Sequence, residues 1–165
     1  MSMTNDFPLF LFPHSFFPLI TTNNTLMYTY NYPRPAVTID AILISNLNTV
    51  LLIERGREPY KGKWALPGGF IDMDEELVIA CRRELEEETG LRVGELTQFR
   101  AYGGVNRDPR HRTISVVFYS FQDEESIPQA GDDAAKAQWF PLNQLPDLAF
   151  DHLQILEEFK SEFLK

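Results

Sequence analysis

Between Asp72 and Glu88 the chain carries eight acids, Asp72, Asp74, Glu75, Glu76, Glu84, Glu86, Glu87 and Glu88, against two bases, Arg82 and Arg83. Eight against two leaves −6, two-thirds of the −9 carried by all 165 residues. The spacing predicts a helix from Glu75 to Thr89, with Asp74 as N-cap, acids in the first turn and Gly90 just past the end. A charge run is ordinarily a solvated helix face. Helical geometry argues otherwise here. With about 100° per residue, Leu77, Val78, Cys81 and Leu85 form the apolar stripe. Glu75, Arg82 and Glu86 fall near the opposite face. Glu84 and Glu88, however, fall within roughly 20° of Leu77. Glu87 lies beside them, so the three are i, i+3, i+4 neighbours. Carboxylates turned toward a buried edge repel one another and lose hydration, so something positive must compensate. Arg83 can brace Glu87 but does not balance all three. A hard divalent cation such as Mg²⁺ or Mn²⁺ is the natural partner of carboxylate and carbonyl oxygens. Geometry favours that metal site over a solvated face.

Composition narrows the remainder. Hydrophobic residues make up 44% and charged residues 24%, within the range of soluble globular proteins. The length is that of one domain with a sufficient core. The acidic balance argues against broad nucleic-acid binding, and no apolar run reaches the length of a membrane span. A single cysteine, Cys81, cannot form an intramolecular disulfide. This fits a reducing compartment, and a cytoplasmic location is expected. Cys81 lies on the apolar stripe and reads as core.

Residues 1–33 contain no Lys or Arg, one acid (Asp6), five phenylalanines and prolines at 8, 13 and 18. The prolines interrupt every short apolar run, and a secretory signal is a poor match. Residues 1–26 are expected to be a disordered tail or an upstream extension, with a hydrophobic docking arm as the alternative. The domain is expected to span 27–165. Within it, strands are predicted at Val37–Ser45, Thr49–Glu54, Trp64–Leu66, Arg92–Gly103, Thr113–Phe121 and Ala135–Phe140. Pro67-Gly68-Gly69 is expected to break the third. An amphipathic helix is predicted from Asp151 to Lys165, with Leu153, Ile155, Leu156, Phe159 and Phe163 apolar. Mixed strands with two helices point to an α+β or α/β/α sandwich.

The charged helix is also the end of a longer motif. Gly69, five residues, Glu75, seven residues, then Arg83-Glu84-Leu85-Glu86-Glu87-Glu88-Thr89-Gly90-Leu91 resembles the Nudix box, G-x5-E-x7-R-E-U-x-E-E-x-G-U with U apolar. Every fixed identity is present, both U positions are Leu, and Leu66-Pro67-Gly68-Gly69-Phe70 precedes the box as in that family. The resemblance implies an α/β/α sandwich with a mixed β-sheet and a catalytic loop-helix. It implies metal-dependent hydrolysis of a nucleoside diphosphate linked to another group. Glu84 and Glu88 would hold the metal with the Gly68 carbonyl, Glu87 would be a further ligand or orient water, and Arg83 would position the glutamates. Glu75 would bond within the loop and helix. The general base would be a box glutamate or a later acid, with Asp123, Glu124 and Glu125 as candidates. A homodimer is expected by family analogy alone.

Three later passages resemble the ADP-ribose pyrophosphatase branch: 106–110 (NRDPR), 130–134 (AGDDA) and 148–152 (LAFDH). Arg107 and Arg110, with Arg112 and His111 nearby, offer forked donors suited to phosphate, or are solvated hairpin arginines. Asp132 and Asp133 would bond a base or ribose, or cap a turn. Phe150 and His152 are pocket-lining candidates, Arg55 and Arg57 are further phosphate candidates, and Trp64 and Trp139 read as core. ADP-ribose, cleaved to AMP and ribose 5-phosphate, is the expected substrate. The box itself is compatible with sanitation of oxidised nucleoside triphosphates or with another sugar-linked or dinucleotide substrate. A non-catalytic ADP-ribose or sugar sensor of this family would carry a further DNA-binding module. The sequence ends at Lys165, soon after the closing helix, and the box is intact, so an enzyme is expected.

Overall fold

The strand Ala36–Ser45 is buried at eight successive positions because both of its faces are covered. This is β1 in the computed structural model, which describes residues 31–129, 131 and 134–164. Ile39, Ala41 and Leu43 point to one side, where they meet Ala80, Cys81 and Leu85 of helix α1 (Leu77–Thr89). Ile42 and Ile44 point to the other, onto Ile155, Leu156 and Phe159 of helix α2 (His152–Phe163). The result is the expected α/β/α sandwich around a mixed sheet. Residues Tyr32–Lys165 form one compact unit. The expectation for residues 1–26 lies outside the described residues.

The remaining strands are β2 (Thr49–Arg55), β3 (Trp64–Ala65), β4 (Gly68–Phe70), β5 (Thr97–Tyr102), β6 (Thr113–Gln122) and β7 (Ala134–Pro141). The sheet runs β3-β2-β1-β6-β5, with β7 also on β2 and β4 also on β1. β1 and β6 are parallel in unbroken register from Ala36↔Thr113 to Ser45↔Gln122. β1 and β2 pair at Ile44↔Val50, beside their hairpin. Farther along, β1 takes β4 instead, at Thr38↔Phe70, Ile39↔Gly69 and Asp40↔Gly68, while β2 pairs with β7 and β3. The two central strands therefore part company, and the parting opens a cleft floored by strand ends.

Several predicted boundaries change, for local reasons. Pro67-Gly68-Gly69 does not simply end a strand: Gly68–Phe70 is itself β4, because glycines let this segment lie against β1. Helix α1 begins at Leu77, two residues late, and Asp74 is not its cap. Glu76 holds the cap position without a side-chain bond, because Glu75 turns back to accept from the Asp72 N–H at 2.7 Å and from Arg83. Gly90 closes α1 in the left-handed region at φ +67, as its residue type foretells. The strand predicted from Arg92 starts only at Thr97. On α2, Leu153 is about half exposed while Ile155, Leu156 and Phe159 are fully buried. No helix of the described residues is long and apolar enough to cross a membrane.

Phe159 joins the fully buried core to an aromatic group with Phe99, Tyr119 and Phe163. Phe159→Ala is expected to lower unfolding free energy by about 3–5 kcal/mol, read from urea melts. A loss under about 1 kcal/mol would contradict this packing.

Candidate active site

β4 and α1 meet at contacts that only glycine permits. A Cβ on Gly68 would lie 2.1 Å from the Ile39 carbonyl oxygen. One on Gly69 would lie 2.3–2.6 Å from the Glu84 carboxylate. With no side chains there, the backbone of β4 runs directly beneath the carboxylates of α1. The Gly68 N–H donates to Glu88 Oε2 at 2.9 Å. Glu88 is only 9% exposed.

Arg83 ties this corner together. Its Nη2 and Nε donate to the two carboxylate oxygens of Glu75 at 2.7 and 3.1 Å. Its Nη1 donates to Glu84 at 2.8 Å and to Glu87 at 3.0 Å, and Nη2 also reaches the Phe70 carbonyl at 3.1 Å. Loop, strand and helix are thus held by one planar fork. These carboxylates raise the guanidinium's proton affinity, the Glu75 bond most of all.

The carboxylates facing the cleft remain under-compensated. Burial pushes Glu88 up to about 8, against the Gly68 N–H that favours its charged form. Burial likewise raises Glu84 in spite of Arg83. Glu87 turns outward to Arg83, its side chain 58% exposed. In this conformation no three acid, His or Cys side chains of the described residues stand close enough to share a metal ion. The donors nevertheless suit a hard cation in kind: two carboxylates one turn apart, Glu88 buried and Glu84 partly so, beside the backbone of β4. Cys81, by contrast, sits in the apolar layer with its thiol pushed up to about 12 by burial, and is core as expected.

Glu84 and Glu88 form one wall of a cleft of about 450 Å³. Arg55, Arg57, Arg110 and Phe150 stand elsewhere on its lining. Arg55 donates from Nε to the Pro59 carbonyl at 2.8 Å and lies 4.8 Å from the centre of the Phe150 ring. Burial lowers its pKa, and the charge of Arg110 lowers it further. Arg110 is braced on Asp108 by Nε at 3.0 Å and Nη2 at 2.7 Å. The cleft therefore brings carboxylates and guanidinium groups onto one lining, with Asp40 and Asp108 among the arginines and Arg83 beside Glu84.

Of the residues singled out in the sequence, the structure brings Gly68, Arg83, Glu84, Glu88, Arg57, Arg107 and Arg110 to this cleft. Glu87 stands at its margin. Arg107 is turned inward and bonded to Asp151 through both Nε and Nη2. Asp132 and Asp133 lie outside the described residues. Glu125 accepts from Thr49 Oγ1 at 2.5 Å at the β1–β2 hairpin, and Asp123, Glu124 and Glu125 do not line the cleft. Asp40 does, though it was not singled out. It is a lone acid in an apolar strand, buried and accepting from the Ser115 hydroxyl. His152 lines the cleft as expected, its Nδ1 accepting from the Leu66 N–H at 2.9 Å and its Nε2 3.6 Å from Asp40 Oδ1.

The loop after β6 is fastened to the end of α1. Gln129 N–H donates to the Thr89 carbonyl at 2.7 Å and Gly131 N–H to the Glu88 carbonyl at 3.2 Å. A Cβ on Gly131 would lie 1.6 Å from the Glu87 carbonyl oxygen.

Residues 34–159 match the NUDIX domain. The chain belongs to the NUDIX domain family. Over 128 residues it is 43% identical to an ADP-ribose pyrophosphatase of Methanocaldococcus jannaschii, covering 78% of this chain and 75% of that protein. These likenesses make it a Nudix hydrolase. It is also 34% identical over 135 residues to an ADPR responsive transcriptional repressor, NtrR, of Acinetobacter baylyi. That match covers 78% of this chain but only 54% of the repressor. Among solved structures, the NUDIX domain of Shewanella oneidensis NrtR complexed with ADP ribose superposes with a TM-score of 0.75 at 31% identity, covering 79% of this chain and 90% of that one.

His152 links this Nudix site to pH. Burial holds its pKa below the usual 6.5, so the folded state keeps it neutral while the unfolded chain protonates it. The unfolded state then binds more protons, and stability falls as pH drops through about 6.5. Urea melts at pH 5.5 and 7.5 should show a larger acid-side loss for the wild type than for His152→Gln. Equal losses would remove His152 as the cause.

Proposed function

We propose that this Nudix hydrolase cleaves ADP-ribose to AMP and ribose 5-phosphate with a divalent cation, Mg²⁺ or Mn²⁺. The observation that carries this reading is one cleft lined by Glu84 and Glu88 and also by Arg55, Arg57 and Arg110. A diphosphate is repelled by carboxylates and attracted by guanidinium groups, so it needs both a cation and these arginines to enter. The pyrophosphatase relative and the ADP-ribose-bound neighbour support the nucleotide sugar as ligand.

In this reading Glu84, Glu88 and the Gly68 carbonyl would hold the cation, with Glu87 as a further ligand or water-orienting group. The cation supplies charge neutralisation on the diphosphate oxygens and acidifies water. Arg83 offsets the repulsion among the box carboxylates and fixes Glu84 beside β4. Arg110 and Arg57 bind phosphate oxygens, and Arg55 adds a further donor. Charge building on the leaving phosphate faces these fixed donors, which need little reorganisation as the bond breaks. Asp132 and Asp133 are assigned to the ribose or base from their sequence context. A box glutamate serves as general base, because the three later acids stand away from the cleft.

The repressor relative gives the sensor reading a specific footing. Turnover separates the two. Purified protein with Mg²⁺ is offered ADP-ribose, NADH, a diadenosine polyphosphate, a sugar nucleotide and 8-oxo-dGTP, and products are separated by chromatography. ADP-ribose should be cleaved fastest, and Glu88→Gln should cut kcat by ~10²–10³-fold. Tight ADP-ribose binding without turnover of any compound would establish the sensor. Preference for 8-oxo-dGTP would establish nucleotide sanitation. Independently of turnover, Mg²⁺ at about 100 times its Kd should stabilise the wild type by about 2.7 kcal/mol and leave Glu88→Gln unmoved. Equal stabilisation of both would place the cation elsewhere.

A further inference from the structure

Arg107 has the residue type of a phosphate ligand and the surroundings of a structural tie. Its side chain is 5% exposed. Nε and Nη2 donate to the two carboxylate oxygens of Asp151 at 2.9 and 2.7 Å, and Nη2 lies 3.7 Å from Asp40 Oδ2. The bidentate face of this guanidinium is therefore used within the protein. The tie spans two distant segments: Arg107 lies in the β5–β6 loop, and Asp151 immediately precedes α2.

The neighbours of each partner, Arg110 and Phe150, line the cleft. Arg110 follows Arg107 by three residues. Phe150 precedes Asp151 directly and sits at φ +53, a left-handed conformation that a bulky side chain adopts only when its surroundings enforce it. Its ring meets Tyr60 edge-on at 4.9 Å, Arg55 at 4.8 Å and Arg110 at 5.8 Å. One ion pair thus flanks both the strained residue and the loop that bears the guanidinium across from it.

We propose that Arg107 and Asp151 are a positioning pair that sets Phe150 and Arg110 for binding the nucleotide substrate. The assignment rests on the hydrolase reading. The pair acts on substrate binding and leaves the bond-breaking step to Glu84 and Glu88.

The test compares full-length wild type, Arg107→Gln, Asp151→Asn, the double variant and Arg107→Lys. ADP-ribose hydrolysis and amide hydrogen exchange are both measured. Each single neutralising variant should raise KM about tenfold or more while kcat stays within about threefold and the Mg²⁺ dependence is unchanged. The double variant should be no worse than the worse single one, because the two side chains act as a unit. Arg107→Lys keeps the charge but loses the fork, and should recover part of the KM loss. It also serves as the comparison if a neutral variant folds poorly. Without substrate, exchange at 104–111 and 148–151 should quicken in both single variants. A KM rise in Arg107→Gln alone would make Arg107 a direct substrate ligand and overturn the proposal. Multiplying effects in the double variant, a fall in kcat with KM unchanged, or unaltered exchange would also overturn it. Failure of the wild type to cleave ADP-ribose would defeat the hydrolase reading alone, since the exchange measurement decides the pairing without substrate.

Discussion

Three of the carboxylates around the start and middle of α1 end on one guanidinium. Arg83 reaches Glu75, Glu84 and Glu87 together, and the Phe70 carbonyl besides. Without that fork, the acids would repel one another and the loop from β4 into the helix would have no fixed path. Glu75 shows the trade clearly. It forgoes the first helical turn, where the dipole would favour it, for two hydrogen bonds with Arg83. The balance stops short of Glu88, which has a backbone N–H and nothing cationic in direct contact among the described residues. A fold that spends its arginine on three acids and buries the fourth beside a strand keeps a deliberate deficit of positive charge at one point.

The sheet decides where that point faces. Had β1 and β2 stayed paired along their length, β4 would have no edge to join, and the helix carboxylates would look onto a closed surface. Their separation after Ile44↔Val50 gives β4 its place, and Gly68 and Gly69 let it lie close. The same separation leaves the end of β2, with Arg55, lining the cleft with the carboxylates. Acidic and basic residues of the cleft are thus two outcomes of one departure from regular pairing.

Much of this was legible in the residues, and the failures are informative. The layer structure could be read because helix and strand periods differ, and because a strand covered on both faces has no alternation. The inward turn of Glu84 and Glu88 followed from angular position alone. The start of α1 was misjudged because propensity favours Asp74 as a cap, whereas a tertiary bond from Arg83 captures Glu75. β4 was hidden because Pro-Gly-Gly has no strand propensity; its pairing depends on the absence of side chains and on what lies across from it. Arg107 and Arg110 looked equivalent in sequence. Only the fold shows that both line the cleft with their forks on carboxylates, Arg107 buried on Asp151 and Arg110 more exposed on Asp108, since burial of a long side chain is set by partners as far as 44 residues away. Asp40 left a trace, a single acid in an apolar strand, that spacing rules do not register.

The two amide groups that cap the end of α1 have a consequence for how such a protein can change. Gln129 and Gly131 bond the carbonyls of Thr89 and Glu88, and Gly131 lies against the Glu87 backbone with no room for a methyl group. The connection between β6 and β7 is thus welded to the turn that carries the buried glutamate, whereas the β5–β6 connection is fastened to a different helix. A change in the second reaches Phe150 through Asp151. A change in the first pulls on the backbone that carries Glu87 and Glu88, so the two loops drift against different constraints.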